Sequence, residues 1–184
     1  NVGMQCVPRR NAGVKRADVR FVEADMRFFA LEETFSAIFI PFNSISQLYS
    51  KEDLFQTLHS ARNHLKRNGH FLLDYFNPDI RYICENEKKR TRIAEYSAAD
   101  GRNVVIDQTM AYESDTQINR IKWHYVIDGS EQSVVPLDMR MFFPQELDTY
   151  IESNGFRIVS KFGDFDQSVF QASSPRQIFV CKAV

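Results

Sequence analysis

Three short blocks in the first half of the chain set the tightest limit on its fold. Val19 to Asp25 (VRFVEAD), Ser36 to Leu48 (SAIFIPFNSISQL) and His70 to Asp79 (HFLLDYFNPD) are each an apolar run that ends in polar groups. Apolar runs of this length fit strands buried on both faces, as in a parallel sheet, where ligands sit outside the carboxyl ends of the strands. Asp25, Asn43 and Asn77 then gather around one crevice, and a bound small molecule is the first expectation. An absence matters equally. No glycine-rich strand-to-helix turn precedes these blocks, and the seven glycines of the chain are scattered.

Patterning fills in the elements around those blocks. Val2 to Asn11 has the makings of a helix that Gly3 and Pro8 oppose, since glycine loosens a helix and an interior proline removes a backbone donor. Val19 to Val22 and Phe35 to Phe42 read as strands, with Met26 to Leu31 a turn or short helix between them. Ser50, with Asp53 three residues later, predicts a capped helix start; Leu54, Leu58, Ala61 and Leu65 follow at helical spacing until Asn68 and Gly69 end the run. Phe71 to Tyr75 is the next strand, so strand, helix, strand predicts a parallel crossover. From Thr91 to Met141 the period becomes two, with Asp-Gly turns at Asp100 and Asp128. Ile121, Trp123, Tyr125 and Ile127 share one face and Arg120, Lys122 and His124 the other; Val135, Leu137, Met139 and Met141 lie opposite Asp138 and Arg140. An antiparallel meander of three or four strands follows from this. Pro144 opens a helix that Asn154 and Gly155 close, and Phe156 to Phe162 and Gln177 to Lys182 form the last strands. Phe165 and Phe170 in the polar loop between them predict that it folds back over something. No linker divides residues 1–184, which read as a single domain with residues 91–142 inserted in it.

Composition excludes several classes. With 184 residues, 43% apolar and 26% charged, the chain can bury a sizeable core, and fibrous or disordered classes do not fit. No apolar stretch approaches the length of a membrane span, and NVGMQCVPRR lacks the apolar core of a secretory signal, so a cytoplasmic protein with no membrane partner is expected. Cys6, Cys84 and Cys181 are far apart and odd in number, which suits free thiols. No histidine stands at metal-ligand spacing with a second histidine or cysteine, so no metal is expected. A net charge of −1 offers no global attraction for nucleic acid, and the one dense basic run, Glu87 to Arg92 (EKKRTR), reads as a solvated connection. His59, His64 and His70 read as surface residues.

Taken in order and spacing, VRFVEADMRFF, the strand leading to PFNSISQL, the capped helix with HLKRNGHFLLDYFNPD, the meander, FFPQELDTYIESNGF and the terminal strand pair resemble class I S-adenosylmethionine-dependent methyltransferases of the small-molecule type. The resemblance implies an α/β fold: a partial Rossmann-like sheet from the strand order 3-2-1-4-5-7-6, an antiparallel meander inserted after strand five, and a C-terminal antiparallel strand pair. It implies S-adenosylmethionine as cofactor. Asp25 and Met26 take the adenine positions, and Pro41, Phe42, Asn43, Ser44, Gln47 and Leu48 the segment along the methionine portion. Tyr75, Asn77, Arg140 and Phe143, with His124 of the meander, take positions near the acceptor. No catalytic residue is identified, because the activated carbon comes from the cofactor and the protein mainly aligns the nucleophile. Local turn chemistry accounts for Asn43, Ser44 and the Asn77–Asp79 stretch as an alternative.

The glycine-rich loop and the ribose-binding acid of that family have no counterpart in these residues; NVGMQCVPRR resembles the helix that follows the acid. The chain is therefore expected to be N-terminally truncated and its cofactor binding impaired. Without strands one and two, strands three and four lie about 14 Å apart, roughly three spacings of 4.8 Å, and an unfilled edge invites another chain, so a homo-oligomer is one expectation. The leading function is methyl transfer to a nitrogen or oxygen of a small polar molecule, and the alternative is a non-catalytic methyltransferase-like binding module.

Overall fold

The computed structural model describes residues 19–184, so the expectations for residues 2–11 and for Cys6 lie outside the described residues. In chain order the elements are β1 (Phe35–Ile40), a 3₁₀ turn (Ser44–Gln47), α1 (Lys51–Asn63), β2 (Leu65–Phe76), α2 (Ile80–Asn86), β3 (Thr91–Ser97), β4 (Asn103–Glu113), β5 (Ile118–Ile127), β6 (Ser130–Arg140), α3 (Pro144–Ser153), β7 (Phe156–Phe162) and β8 (Arg176–Ala183). They form an α/β fold with two four-stranded sheets.

The first sheet has the order β1-β2-β8-β7, with β1 parallel to β2 and β8 antiparallel to both its neighbours. This is the 4-5-7-6 end of the implied strand order. The crossover between the parallel strands is α1, whose first amides are satisfied by Ser50: Asp53 N donates to Ser50 Oγ at 3.0 Å. Glu52 and Asp53 in the first turn favour the positive end of the helix dipole. The inner face, Leu54, Leu58 and Ala61, packs with Leu147 and Ile151 of α3 against Phe71, Leu73, Phe156 and Phe179 of the sheet, all buried. Burial also pushes the Cys181 thiol up to about 12, so this cysteine is an inert core residue.

The structure corrects three expectations here. Val19 to Val22 is not a strand; Val19 (59%), Phe21 (67%) and Val22 (48%) are exposed. A strand takes its hydrogen bonds from a neighbour, and no described residue pairs with this segment. β1 is not covered on both faces: Phe39 is 53% exposed, because β2 is its one partner among the described residues and one face lacks a packing layer. α1 stops at Asn63, not at Gly69, since His64 caps it by donating its N–H to Ala61 O at 3.2 Å. The chain enters β2 directly and carries an irregularity where Phe35 pairs Leu65 but Ala37 pairs His70. Gly69 sits in that irregularity, where a Cβ would stand 3.0 Å from both Phe35 O and Lys66 O.

His64 itself is buried rather than at the surface, because both ring nitrogens are used. Nε2 accepts from Leu31 N at 2.8 Å and Nδ1 meets Ser60 O at 2.7 Å, which ties the chain before β1 to α1.

The second sheet is the meander, β3-β4-β5-β6, antiparallel throughout. Asp128 and Gly129 turn β5 into β6 with φ of 47° and 79°, the two left-handed residues that a tight hairpin requires. The basic run is exposed as expected, and its arginines make surface ion pairs: Arg90 with Asp107 and Glu131 at 2.9 Å, and Arg92 with Glu95 at 2.8 Å. The loop between β7 and β8 does fold back, Phe170 lying under the Lys161 ammonium (4.3 Å) and Phe165 over the Arg176 guanidinium (4.8 Å). No described helix is long and apolar enough to cross a membrane.

Candidate active-site cleft

Because β1 and β2 run parallel, the segments that leave them, Pro41–Ser44 and Phe76–Asn77, emerge at the same end of the sheet. The first is backbone held out of its preferred conformation. Phe42 and Asn43 both have positive φ, 56° and 58°, which is costly for side chains with a Cβ. Their surroundings account for it. Phe42 N donates to Asp74 Oδ2 at 3.2 Å, Asn43 N to Asp74 O at 3.3 Å, and Phe76 N donates to Asn43 Oδ1 at 2.8 Å. Ser44 Oγ donates to Pro41 O at 2.6 Å, and Ser46 Oγ bonds Asn43 O. Asp74, 2% exposed, is in turn paired with Arg176 at 2.7 Å. The Phe42 ring, freed from packing, is 85% exposed at the lip of the cleft.

Asp25 opens the turn beside this segment. Its carboxylate accepts from Arg27 N (2.9 Å), Nε (3.0 Å) and Nη2 (2.7 Å), while Arg27 Nη1 reaches Asp53 of α1 at 2.8 Å. The Arg27 hydrogen bonds hold the Asp25 carboxyl down to about 2. Met26, next in the chain, lines an apolar cavity of about 240 Å³ with Pro41, Ser44, Ile38 and Ile40. The structure thus brings Met26, Pro41 and Ser44 together. Gln47 lies outside this cavity, its Nε2 donating to Asp138 O of β6 at 3.1 Å, and Leu48 is a core residue.

The residues expected near the acceptor separate into two groups. Tyr75 and Arg140 join the two sheets: the Tyr75 hydroxyl donates to Arg140 O at 2.7 Å and accepts from Phe142 N at 3.2 Å, and burial raises its pKa. The Arg140 guanidinium is buried against Glu146 at 2.9 Å and also bonds Gln117 Oε1. Phe143 caps α3, its N–H donating to Glu146 Oε2 at 3.3 Å. His124 stands on the far face of the meander, bonded to Thr109 and Glu131 at 3.0 and 3.1 Å. Asn77 alone of these lines a cavity; its side chain also donates to Ala172 O and Ser174 O at 2.9 Å.

That cavity, about 290 Å³, lies between the end of β2, helix α2 and the near face of the meander. Met110, Asn119, Ile121, Met139 and Met141 form its roof and Phe76, Tyr82 and Ile83 its floor. The cross-strand pairs Met110–Ile121 and Asn119–Met139 put the roof side chains on one sheet face. α2, which the patterning above leaves as connection, exists because Asp79 Oδ1 accepts from Arg81 N (2.9 Å) and Tyr82 N (3.2 Å). Most of these lining residues look like ordinary core in a sequence. The available signal is Asn119, a polar residue heading the face that Ile121 and Trp123 continue.

No protein-family model matches the chain. It is 27% identical over 174 residues to the glycine/sarcosine N-methyltransferase of Aphanothece halophytica, a match that takes in 94% of this chain and 61% of that relative. Among solved structures, the CcbJ methyltransferase of Streptomyces caelestis superposes with a TM-score of 0.77 at 21% identity, over 86% of this chain and 65% of that one. An S-adenosylmethionine-dependent methyltransferase from Clostridium acetobutylicum gives 0.71 at 14% identity, over 87% and 63%. These likenesses decide what the sheet order suggests. The chain has the fold of class I S-adenosylmethionine-dependent methyltransferases. Within that fold these residues supply the last four strands and the roof, and they span 61% of the length of the curated relative.

Proposed function

We propose that the protein transfers a methyl group from S-adenosylmethionine to a nitrogen of a small molecule. The observation that carries this reading is the pairing of two features at one end of the sheet: the strained Pro41–Ser44 segment and, one hydrogen bond away through Phe76, the roofed cavity. The curated relative's activity as an N-methyltransferase supports nitrogen over oxygen.

The residues present suit part of the cofactor. An Asp25 carboxylate that stays ionised can accept from the exocyclic amine of adenine, and the apolar slot lined by Met26 and Pro41 suits a flat ring. Pro41, Phe42, Asn43 and Ser44 would face the methionine portion. No group for the ribose hydroxyls stands out among the described residues. Bound there, the cofactor would supply a sulfonium methyl for in-line transfer to the acceptor nitrogen, with the C–S bond breaking and S-adenosylhomocysteine as the leaving group. The chain's own contribution is alignment: Phe76 fixes the strained segment against the roofed cavity, Tyr75 and Arg140 lock the roof to the sheet, and Met-lined walls keep water away.

The test is incubation of the natural protein that contains these residues with trideuteromethyl S-adenosylmethionine and a panel of amines, read by mass spectrometry. Label on an amine nitrogen is expected. Failure to label any amine, together with failure to bind S-adenosylhomocysteine, would overturn the reading in favour of a non-catalytic module.

A further inference from the structure

The lining of the roofed cavity says what kind of acceptor it takes, an inference that rests on the methyltransferase reading for the word acceptor but not for binding itself. The walls are mainly apolar, three methionines among them, Met110, Met139, Met141, Ile121, Ile83 and Phe76, with Asn77, Asp79 and Gln108 at the same cavity. Thioethers fill irregular space and adapt to ring edges. At about 290 Å³ the cavity lies at the small end of ligand pockets, which suits a single ring or a short branched skeleton. A molecule as polar as glycine would lose its hydration there with little returned.

Of the polar side chains in the lining, Asn77 donates to Ala172 O and Ser174 O, Asp79 accepts from Arg81 N and Tyr82 N, and Gln108 accepts from Trp123 Nε1, whereas Asn119 is left without such a partner. Asn119 is 3% exposed, and its Oδ1 has no hydrogen-bond partner, while its Nδ2 has only the sulfur of Met110 at 3.7 Å. A buried carbonyl oxygen without a donor is costly, and a ligand N–H or O–H placed against it removes that cost. The other unpartnered buried side-chain oxygen among the described residues, Gln177 Oε1, is fully buried and does not line this cavity. Asn119 therefore marks where a donor belongs.

We propose that this cavity binds an amine carried on an apolar skeleton, with an N–H of the ligand donating to Asn119 Oδ1. In the deprotonated amine such a contact accepts from one N–H and leaves the nitrogen lone pair to be aimed elsewhere. It assigns Asn119 as a specificity-determining residue, and it places the preferred ligand apart from the free amino acids named for the curated relative.

Calorimetric titration of this chain, without cofactor and at a pH where the free base is populated, tests the proposal with four probes: phenethylamine with its affinity referred to the uncharged amine, its donor-free analogue propylbenzene, glycine and sarcosine. Phenethylamine is expected to bind roughly tenfold more tightly than propylbenzene, the usual worth of satisfying one buried polar group, with glycine and sarcosine weaker than both. Asn119→Leu should remove the preference for phenethylamine over propylbenzene, with circular dichroism confirming the fold. If that variant does not fold, the ranking of the four probes on the unmodified chain still decides. Glycine or sarcosine binding at least as tightly as phenethylamine, or propylbenzene equal to it, would overturn the proposal. Binding of phenethylamine without any methyl transfer by the natural protein would instead sink the methyltransferase reading and leave the ligand class standing.

Discussion

The two sides of the cleft differ in how completely the described residues finish them. On the roofed side, the meander is tied to the rest of the fold by Tyr75 and Gln47, which bond Arg140 O and Asp138 O of β6. On and around β1, Val19, Phe21, Val22, Phe28, Phe39 and Phe42 are all exposed. The contrast teaches that the buried side chains around β2, β8 and the roof carry the stability of the described residues, whereas the exposed apolar side chains on and around β1 contribute little.

Substitutions can break that comparison, and the largest effect is expected in the finished part. Leu58→Ala, in a site with no exposure, should lower unfolding stability in urea by about 3 kcal/mol, the cost of lost burial plus a cavity. Asp74→Ala strands the Arg176 guanidinium and the Phe42 amide together and should cost about 2–3 kcal/mol, with the Pro41–Ser44 amide resonances the most displaced. Tyr75→Phe leaves Arg140 O without its donor and Phe142 N without its acceptor, for about 1–2 kcal/mol by the same measurement. Phe39→Ser, on the unfinished side, should change stability by less than about 0.5 kcal/mol. An effect there as large as that of Leu58→Ala would erase the distinction.

The Asp25–Arg27 pair sharpens the comparison through pH. Its carboxyl is depressed from 3.8 to about 2, so whatever the pair contributes is fully present above pH 3.8 and lost as pH falls through about 2. A carboxyl-detected NMR titration should find that midpoint, and Arg27→Gln should return it toward 3.8. An unchanged midpoint in the variant would show that Arg27 is not the cause.

Patterning read the closed regions well and the open ones poorly. Ser50 and the Leu54, Leu58, Ala61 spacing located α1, and the alternation from Thr91 to Met141 located the meander, because both signals come from a buried face and local caps. Val19 to Val22 misled because strand propensity says nothing about whether a partner strand is present. His64 misled because its two bonds, to Leu31 and Ser60, depend on how the chain before β1 returns to α1. In the cleft, the resemblance led to Met26, Pro41 and Ser44, which share a cavity. Asn119 escaped notice because an isolated asparagine in a strand acquires meaning only when its neighbours across the sheet, Tyr112 and Met139, and the floor of α2 are in place.

The central claim, that this end of the sheet is a methyltransferase cleft, is tested most directly by amide chemical-shift mapping of the chain during titration with S-adenosylhomocysteine. Shifts confined to Asp25, Met26 and Phe42 to Ser44, with weak affinity, are predicted. Shifts centred elsewhere, such as along β6 and its hairpin, or none at millimolar ligand, would contradict it.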